Sequence, residues 1–303
     1  MKKHSFLVGY FFPSVSCLSW RGAAAAGALA VRAGMLAAGL IAGLSAALAG
    51  DVASADEAAA EMLAGADVII LGEIHDNPQH HQVQADLINR LQPRAVIWEM
   101  ITPAQAAALT PQILQSAERT AQVLNWEASG WPDFSLYAPV FKAAAQAAHY
   151  GALVPRGQTQ AALKTGVASH FGAEAGRFGL DQPLPAAEQA QREAEQLVNH
   201  CNAMPENVLP MLVDIQRLRD ASLAAATDQA MRQTGGPVVV ITGNGHARLG
   251  RGLAVYLKRA APDLVIRALG QLEEGADPGA FDVVVYGPAL QRPDPCLAFS
   301  KSD

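Results

Sequence analysis

Short apolar runs alternate with amphipathic segments along most of the chain, and this alternation predicts an α/β fold. Residues 68–71 (VIIL) and 95–98 (AVIW) are apolar runs typical of buried strands. Runs of the same kind bring the predicted set to about six strands, adding residues 152–154, 238–241, 264–266 and 283–286. Strands that alternate with helices form a mainly parallel sheet flanked by helices on both faces.

A helix is predicted between the first two strands. Asn77 is a good N-cap, and Pro78 suits the first helical turn. Apolar residues at helical spacing form the stripe that packs on the sheet: Val83, Leu87, Ile88 and Leu91. Farther along the chain, an Ala-rich helix is predicted to start near Pro139.

The region from about residue 160 to residue 234 breaks the alternation. Residues 166–185 are rich in Gly and Pro, and residues 186–234 carry two helical patterns separated by Met204-Pro205-Glu206. We expect a helical insertion subdomain that stands over the carboxyl edge of the strands. A plain pair of crossover helices is the alternative, and the sequence does not separate the two.

The first 49 residues have the pattern of a signal peptide. Basic residues precede an apolar stretch at residues 35–45, and Ala47-Leu48-Ala49 is a small-x-small cleavage site. The alternative is an uncleaved anchor. A lipid on Cys17 is not expected, because Ser14 stands where a lipidated cysteine has an apolar residue. We therefore predict a signal peptide over residues 1–49, one α/β domain over residues 50–295 and a tail over residues 296–303.

Charge and cysteine content narrow the classes of partner and site. The formal charge is −6, and the first 49 residues hold four basic residues and no acid, so removing these four positive charges leaves −10. This balance argues against nucleic acid or an anionic membrane surface as partner. Beyond Cys17 the cysteines are Cys201 and Cys296, neither in a Cys-x-x-Cys pair. They can form a disulfide or remain two thiols.

Chemically active side chains stand at the ends of three predicted strands. Glu73 and His75 point to the same face of an extended backbone, and Glu99 directly follows another strand. Because the carboxyl ends of parallel strands form the ligand-binding edge of open α/β sheets, we expect these groups to converge. A carboxylate and an imidazole on one face can bind a metal or act as an acid–base pair.

The third strand end is the segment Gly243-Asn244-Gly245-His246. Its glycines permit a sharp turn that presents His246 at the first turn of a helix running through Leu249, Leu253 and Leu257. A helix amino terminus disfavours an imidazolium. We therefore predict that His246 stays neutral and serves as a ligand or a base.

These segments resemble the ChaN-like haem-binding proteins, bacterial envelope proteins of haem and iron uptake. The resemblance rests on residues 73–78 with His80 and His81, on Glu99, and on residues 243–246, and it extends from about residue 56 to 287. The wider superfamily includes Tiki metalloproteases, TraB-type proteins and erythromycin esterases.

The resemblance implies a periplasmic protein that binds haem between the helical subdomain and the sheet edge. It also implies a homodimer with facing haems and haem-transport components of the periplasm or outer membrane as partners. Many relatives are lipoproteins, and this chain lacks a lipidation site.

Haem needs an axial ligand and partners for its propionates. Family members are associated with tyrosine ligation, and we select Tyr137, in a loop where Trp131 and Phe134 can line a pocket. His200 is a second candidate, as are His75 and His246 at the strand ends. Arg217, with its neighbour Arg219, can neutralise propionates. The alternative for the aromatic residues is that they pack in the core. The alternative for the two arginines is that they lie on a solvated helix face.

The same strand-end residues support a rival hypothesis. In the wider superfamily the matching Glu and His positions serve hydrolysis, so the chain can also be a periplasmic hydrolase. Glu73, His75, Glu99 and His246 would then be catalytic or bind a divalent metal ion that activates water. A Gly-x-Ser-x-Gly nucleophile elbow is absent from the sequence.

Overall fold

The structure of the protein is a computed structural model, and it describes residues 57–299. Its strands form one parallel sheet of six strands in the order β3-β2-β4-β1-β5-β6. The strands are β1 (Val68–Glu73), β2 (Ala95–Trp98), β3 (Ala148–Gly151), β4 (Val238–Gly243), β5 (Ile266–Glu273) and β6 (Val283–Gly287). The predicted mainly parallel α/β sheet flanked by helices is confirmed.

Helices connect the strands from β1 to β5 in chain order and cover both faces of the sheet, whereas residues 274–282 join β5 to β6 without a helix. Residues 57–63 are helical and precede β1. The helices that follow are α1 (Pro78–Leu91), α2 (Pro103–Ala107), α3 (Pro111–Leu114), α4 (Ala117–Val123), α5 (Phe134–Ala143), α6 (Arg156–Thr165), α7 (Val167–Phe171), α8 (Ala175–Phe178), α9 (Ala186–Asn199), α10 (Leu209–Thr234), α11 (Asn244–Ala247) and α12 (Leu253–Ala260). Short 3₁₀ turns lie at Trp126–Ala128, Glu206–Val208 and Pro295–Phe299. In this described part of the chain, none of the helices has the length and apolar character needed to cross a bilayer.

The sheet separates two apolar layers. Ile69 and Leu71 of β1 face the layer that contains α1 and α5, whereas Val68 and Ile70 face the layer that contains α10 and α12. This division follows from the alternation of side chains along a strand. On the first side Trp98 stacks on Phe141, with ring centroids 3.9 Å apart. Because both faces of the sheet are covered, its ligand-accessible positions lie at the edge where the strands end.

Strand register brings the predicted site residues to one edge. Glu73 at the end of β1 is the direct register partner of Gly243 at the end of β4. The Glu99 amide, just after β2, donates to the carbonyl of Ile241 at 3.1 Å. β4 thus lies between the strands that carry the two glutamates, and the convergence expected from the sequence is confirmed.

The region between β3 and β4 contains helices and no strand, from α6 to α10. The two helical patterns predicted after residue 186 are α9 and α10; α9 and the first half of α10 lie at the carboxyl edge of the sheet, and the second half of α10 packs on the sheet face. Cys201, which follows α9, forms a disulfide with Cys296 in the C-terminal segment. The sequence left open whether these cysteines pair or remain thiols, and in the structure they are paired. The bond fastens the C-terminal segment to the end of α9.

Three predicted element positions are wrong. The strand expected at residues 152–154 lies at Ala148–Gly151, an edge strand whose His149 and Tyr150 interrupt the apolar pattern. The strand expected at residues 264–266 begins at Ile266 and runs to Glu273, since the buried polar Gln271 masks its apolar character. The helix expected to start near Pro139 begins at Phe134, because Asp133 caps it and Pro139 lies inside it.

Several predictions concern residues outside the described part of the chain. The signal peptide, its cleavage site and Cys17 precede residue 57, and the end of the predicted tail follows residue 299. These predictions remain expectations.

Candidate functional site

A cavity of about 570 Å³ lies at the carboxyl edge of the sheet. Its floor comes from the strand ends and includes Glu73, His75, Glu99 and His246, and its roof comes from α9 and α10. The volume falls in the usual range for small-molecule sites, about 300–1,000 Å³. The four residues that the sequence predicted as a cluster therefore share one cavity.

Glu73 is buried, and its carboxylate orients His75. Nδ1 of His75 donates to Oε1 of Glu73 at 2.7 Å, and Nε2 of Gln84 donates to Oε2 at 2.7 Å. Burial raises the pKa of Glu73, but nearby His81 and His75 outweigh it and bring this pKa well below its ordinary value. Burial lowers the pKa of His75, but Glu99 and Glu73 outweigh burial and raise this pKa to about 8. His75 is thereby held with Nε2 turned away from Glu73.

Glu99 lies between two imidazoles. Its Oε2 accepts from Oγ1 of Thr242 at 2.6 Å and from the Gly243 amide at 2.8 Å. Its Oε1 lies 3.9 Å from Nε2 of His75 and 3.7 Å from Nε2 of His246. Burial raises the pKa of Glu99, but His246 and His75 lower it further than burial raises it. Glu99 is therefore a carboxylate that faces two ring nitrogens across gaps longer than a hydrogen bond.

His246 is oriented by a carboxylate that the sequence reasoning missed. Nδ1 of His246 donates to Oδ1 of Asp220 at 2.7 Å, which leaves Nε2 on the other side of the ring, 3.7 Å from Oε1 of Glu99. This Nε2 is buried and has no hydrogen-bond partner among the described residues. Asp220 was identifiable in principle, because it shares a helical face with Val213, Arg217 and Ala224, which are also buried.

The surroundings of His246 favour its protonated form, contrary to the expectation drawn from a helix amino terminus. Burial lowers the pKa of His246, but Glu99 and Asp220 outweigh burial and raise it above its ordinary value. The helix that begins at Asn244 is only four residues long, so its terminus is a weak source of positive potential beside two carboxylates. The expected long helix is divided into α11 and α12.

The floor pairs each imidazole with its own carboxylate and points the two remaining nitrogens at Glu99. A carboxylate bound to one ring nitrogen fixes the ring and increases the basicity of the other nitrogen. The arrangement can therefore bind an electrophile or exchange protons. Among the described residues, however, no group of three or more His, Cys, Asp or Glu side chains forms a metal-ion site.

Tyr137 lies behind the floor rather than on the cavity wall. The sequence predicted Tyr137 in a loop, but the residue belongs to α5, and its side chain is fully buried. Its hydroxyl donates to Oε1 of Glu73 at 3.0 Å. Burial and the charge of Glu73 raise the pKa of Tyr137 well above its ordinary value, which disfavours a tyrosinate. In this structure the hydroxyl supports the Glu73–His75 pair.

His200 and Arg217 are not among the cavity-lining residues. Nδ1 of His200 lies 2.8 Å from the Gln196 carbonyl at the end of α9. Arg217 is buried and donates to the Gln182 carbonyl at 2.6 Å, which fastens the chain before α9 to α10. The alternative of a solvated helix face is wrong for Arg217, because its side chain is buried. The arginines on the cavity wall are Arg192, Arg248 and Arg251, none of which the sequence reasoning selected.

Comparison with known proteins identifies the family. The family model described as haem-binding uptake, Tiki superfamily, ChaN matches residues 59–257. The chain belongs to this family. The match spans the sheet edge from Glu73 to His246 and therefore includes the four floor residues Glu73, His75, Glu99 and His246.

Solved structures show the fold shared with this family. ChaN of Campylobacter jejuni, described by its cofacial haem binding, is 22% identical with a TM-score of 0.60, and the match covers 75% of this chain and 90% of ChaN. The type III effector HopBA1 is 13% identical with a TM-score of 0.40, covering 73% of this chain and 88% of the effector. No curated protein matches the chain.

Proposed function

We propose that this protein is an exported haem-binding protein of haem or iron uptake, and that it holds haem in the cavity between the helical roof and the sheet edge. The observation that carries the proposal is Nε2 of His246, a buried ring nitrogen of a cavity-lining residue, without a hydrogen-bond partner among the described residues. A buried polar atom of this kind is costly unless a ligand satisfies it.

The donor set on the floor fits haem. His75 and His246 both line the cavity, and because Glu73 and Asp220 hold Nδ1 of each ring, Nε2 of each ring is left for a ligand. Haem supplies an iron centre that accepts axial nitrogen or oxygen ligands from a protein. Since both histidines have raised pKa values, protons compete with any ligand for these nitrogens. Haem binding is therefore expected to weaken as the pH falls.

Export is supported by the cysteines and by the first 49 residues. Disulfides such as Cys201–Cys296 persist mainly in oxidising compartments. The sequence of residues 1–49 supplies the signal peptide and the cleavage site that export to the periplasm requires. The Campylobacter relative, with its cofacial haem, supports the further proposal of a homodimer with facing haems that serves haem-transport partners.

Titration of the purified protein with haemin tests the proposal. We expect a saturable change in the Soret band, and we expect His75→Ala and His246→Ala to alter the spectrum or weaken binding. Tyr137→Phe serves as the comparison, because its hydroxyl lies behind the floor and its loss leaves both Nε2 atoms in place. Absence of saturable binding would contradict the proposal. If the haemin spectrum changes only in Tyr137→Phe, the iron ligand is the tyrosine and not either histidine.

A further inference from the structure

Three arginines line the cavity, and two of them are neutralised by neighbours. Arg192 donates twice to Oε1 of Glu188, at 3.0 and 2.6 Å. The guanidinium of Arg251 forms an ion pair with Glu195. These two side chains therefore bring little net charge to the cavity, because each is matched by a carboxylate on α9.

Arg248 is different from these two. Its guanidinium has no hydrogen bond or ion pair with another residue in the described part of the chain. The side chain is half-buried and lines the cavity, and a Cβ at Gly279 would lie 3.6 Å from its Cζ. Burial and the charge of Arg251 lower the pKa of Arg248 more than Glu195 and Asp277 raise it. A half-buried cation without a partner stabilises an anion that enters the cavity.

The cavity is thus chemically asymmetric. Its floor presents the ring nitrogens of His75 and His246, whereas Arg248 presents a fork of N–H donors elsewhere on the lining. A ligand that satisfies both regions carries an electrophilic centre and at least one carboxylate. Guanidinium groups bind carboxylates through two parallel hydrogen bonds, which gives direction as well as charge.

Resting on the proposed function, we propose that Arg248 is the carboxylate-recognition residue of this cavity and binds a propionate of haem. Arg217, which the sequence suggested for this role, donates to the carbonyl of Gln182 and is absent from the cavity lining. The site is therefore specific for porphyrins with free carboxylates, and this recognition does not require iron.

Metal-free protoporphyrin IX separates carboxylate recognition from iron ligation. Its affinity and that of its dimethyl ester are measured by tryptophan fluorescence quenching, with haemin titrated in parallel. For the wild-type protein we expect the ester to bind about tenfold more weakly than the free acid, since a hydrogen bond to a charged group is worth roughly that factor. Arg248→Gln should lose about the same factor for the free acid and leave the ester unchanged.

Two further variants control this experiment. Arg90→Gln removes one positive charge from an exposed position at the end of α1, and we expect it to bind both porphyrins as the wild type does. Arg248→Lys keeps the charge without the fork, and it should fall between wild type and Arg248→Gln. Circular dichroism and thermal unfolding of Arg248→Gln establish that it folds.

The outcomes distinguish this inference from the proposed function. Equal binding of the free acid by wild type and Arg248→Gln, with haemin still bound, would overturn the role of Arg248 and leave haem binding intact. The role of Arg248 would also be overturned if the wild type bound protoporphyrin IX and its dimethyl ester equally well. If the wild type binds neither haemin nor the free porphyrin, both proposals fail.

Discussion

The imidazole of His246 and the carboxylate of Asp220 lie 2.7 Å apart, and this pair joins the helical roof to the edge of the sheet. Asp220 comes from α10 and His246 from the turn after β4, so the contact depends on how the insertion packs on the sheet. The carboxylate accepts from Nδ1 of His246, a residue that lines the cavity, and leaves Nε2 for a ligand. The orientation of the His246 ring therefore depends on where α10 packs.

Replacing Asp220 with Asn should lower the pKa of His246. The amide oxygen still accepts from Nδ1, but the negative charge that helps to raise this pKa is gone. Histidine titration by NMR measures the change. Asp214→Asn is the matched control, because it alters the same helix at a residue that does not contact His246. A His246 pKa that is the same in Asp220→Asn and wild type would contradict the assigned pair.

The raised pKa of His75 makes stability depend on pH. Its folded pKa of about 8 exceeds the ordinary 6.5, so protonation favours the folded state. This contribution is complete below pH 6.5 and is lost as the pH rises through about 8, with an upper limit of about 2 kcal/mol. Urea unfolding of wild type and His75→Gln on both sides of this window measures it. The wild type should lose more stability with rising pH, and parallel curves would contradict the prediction.

Gly243 is predicted to be intolerant of a side chain because of His75. A Cβ at Gly243 would lie 2.8 Å from Nε2 of His75, although the backbone angles of Gly243 suit alanine. Gly243→Ala should lower the free energy of unfolding by about 1–3 kcal/mol, the usual cost of overpacking, and weaken haemin binding. Gly245→Ala is the control, since its Cβ would meet nothing within 4 Å. Equal stability and haemin affinity in the two variants would show that His75 is not held against Gly243.

Removal of the Cys201–Cys296 disulfide should destabilise the protein strongly. The cysteines are 95 residues apart in sequence, and a cross-link over such a loop contributes about 4.7 kcal/mol through the entropy of the unfolded chain. The double variant Cys201→Ser, Cys296→Ser should show this loss in denaturant unfolding under oxidising conditions. Under reducing conditions the wild type should approach the variant. Two titratable thiols in the purified, non-reduced protein would contradict the prediction.

Local patterns were sufficient for much of the fold. Residues 68–71 and 238–241 are recognisable strands because both are apolar and buried, and Asn77 and Pro78 mark the start of α1 by their own capping chemistry. The two-helix pattern after residue 186 was similarly visible. The edge strand β3 was misplaced because only Gly151 of its four residues is buried and its polar residues obscure the periodicity.

The convergence of Glu73, Glu99 and His246 was predictable from the sequence, because parallel strands end at a common edge and these residues stand at or just after such strand ends. Their surroundings became evident only from the packing of the helices. The rotation of α10 turns Asp220 toward His246 and sends the Arg217 side chain to Gln182, and α5 places Tyr137 beneath Glu73. The rotation of a helix against a sheet is set by the packing of its whole buried face, which no local pattern specifies.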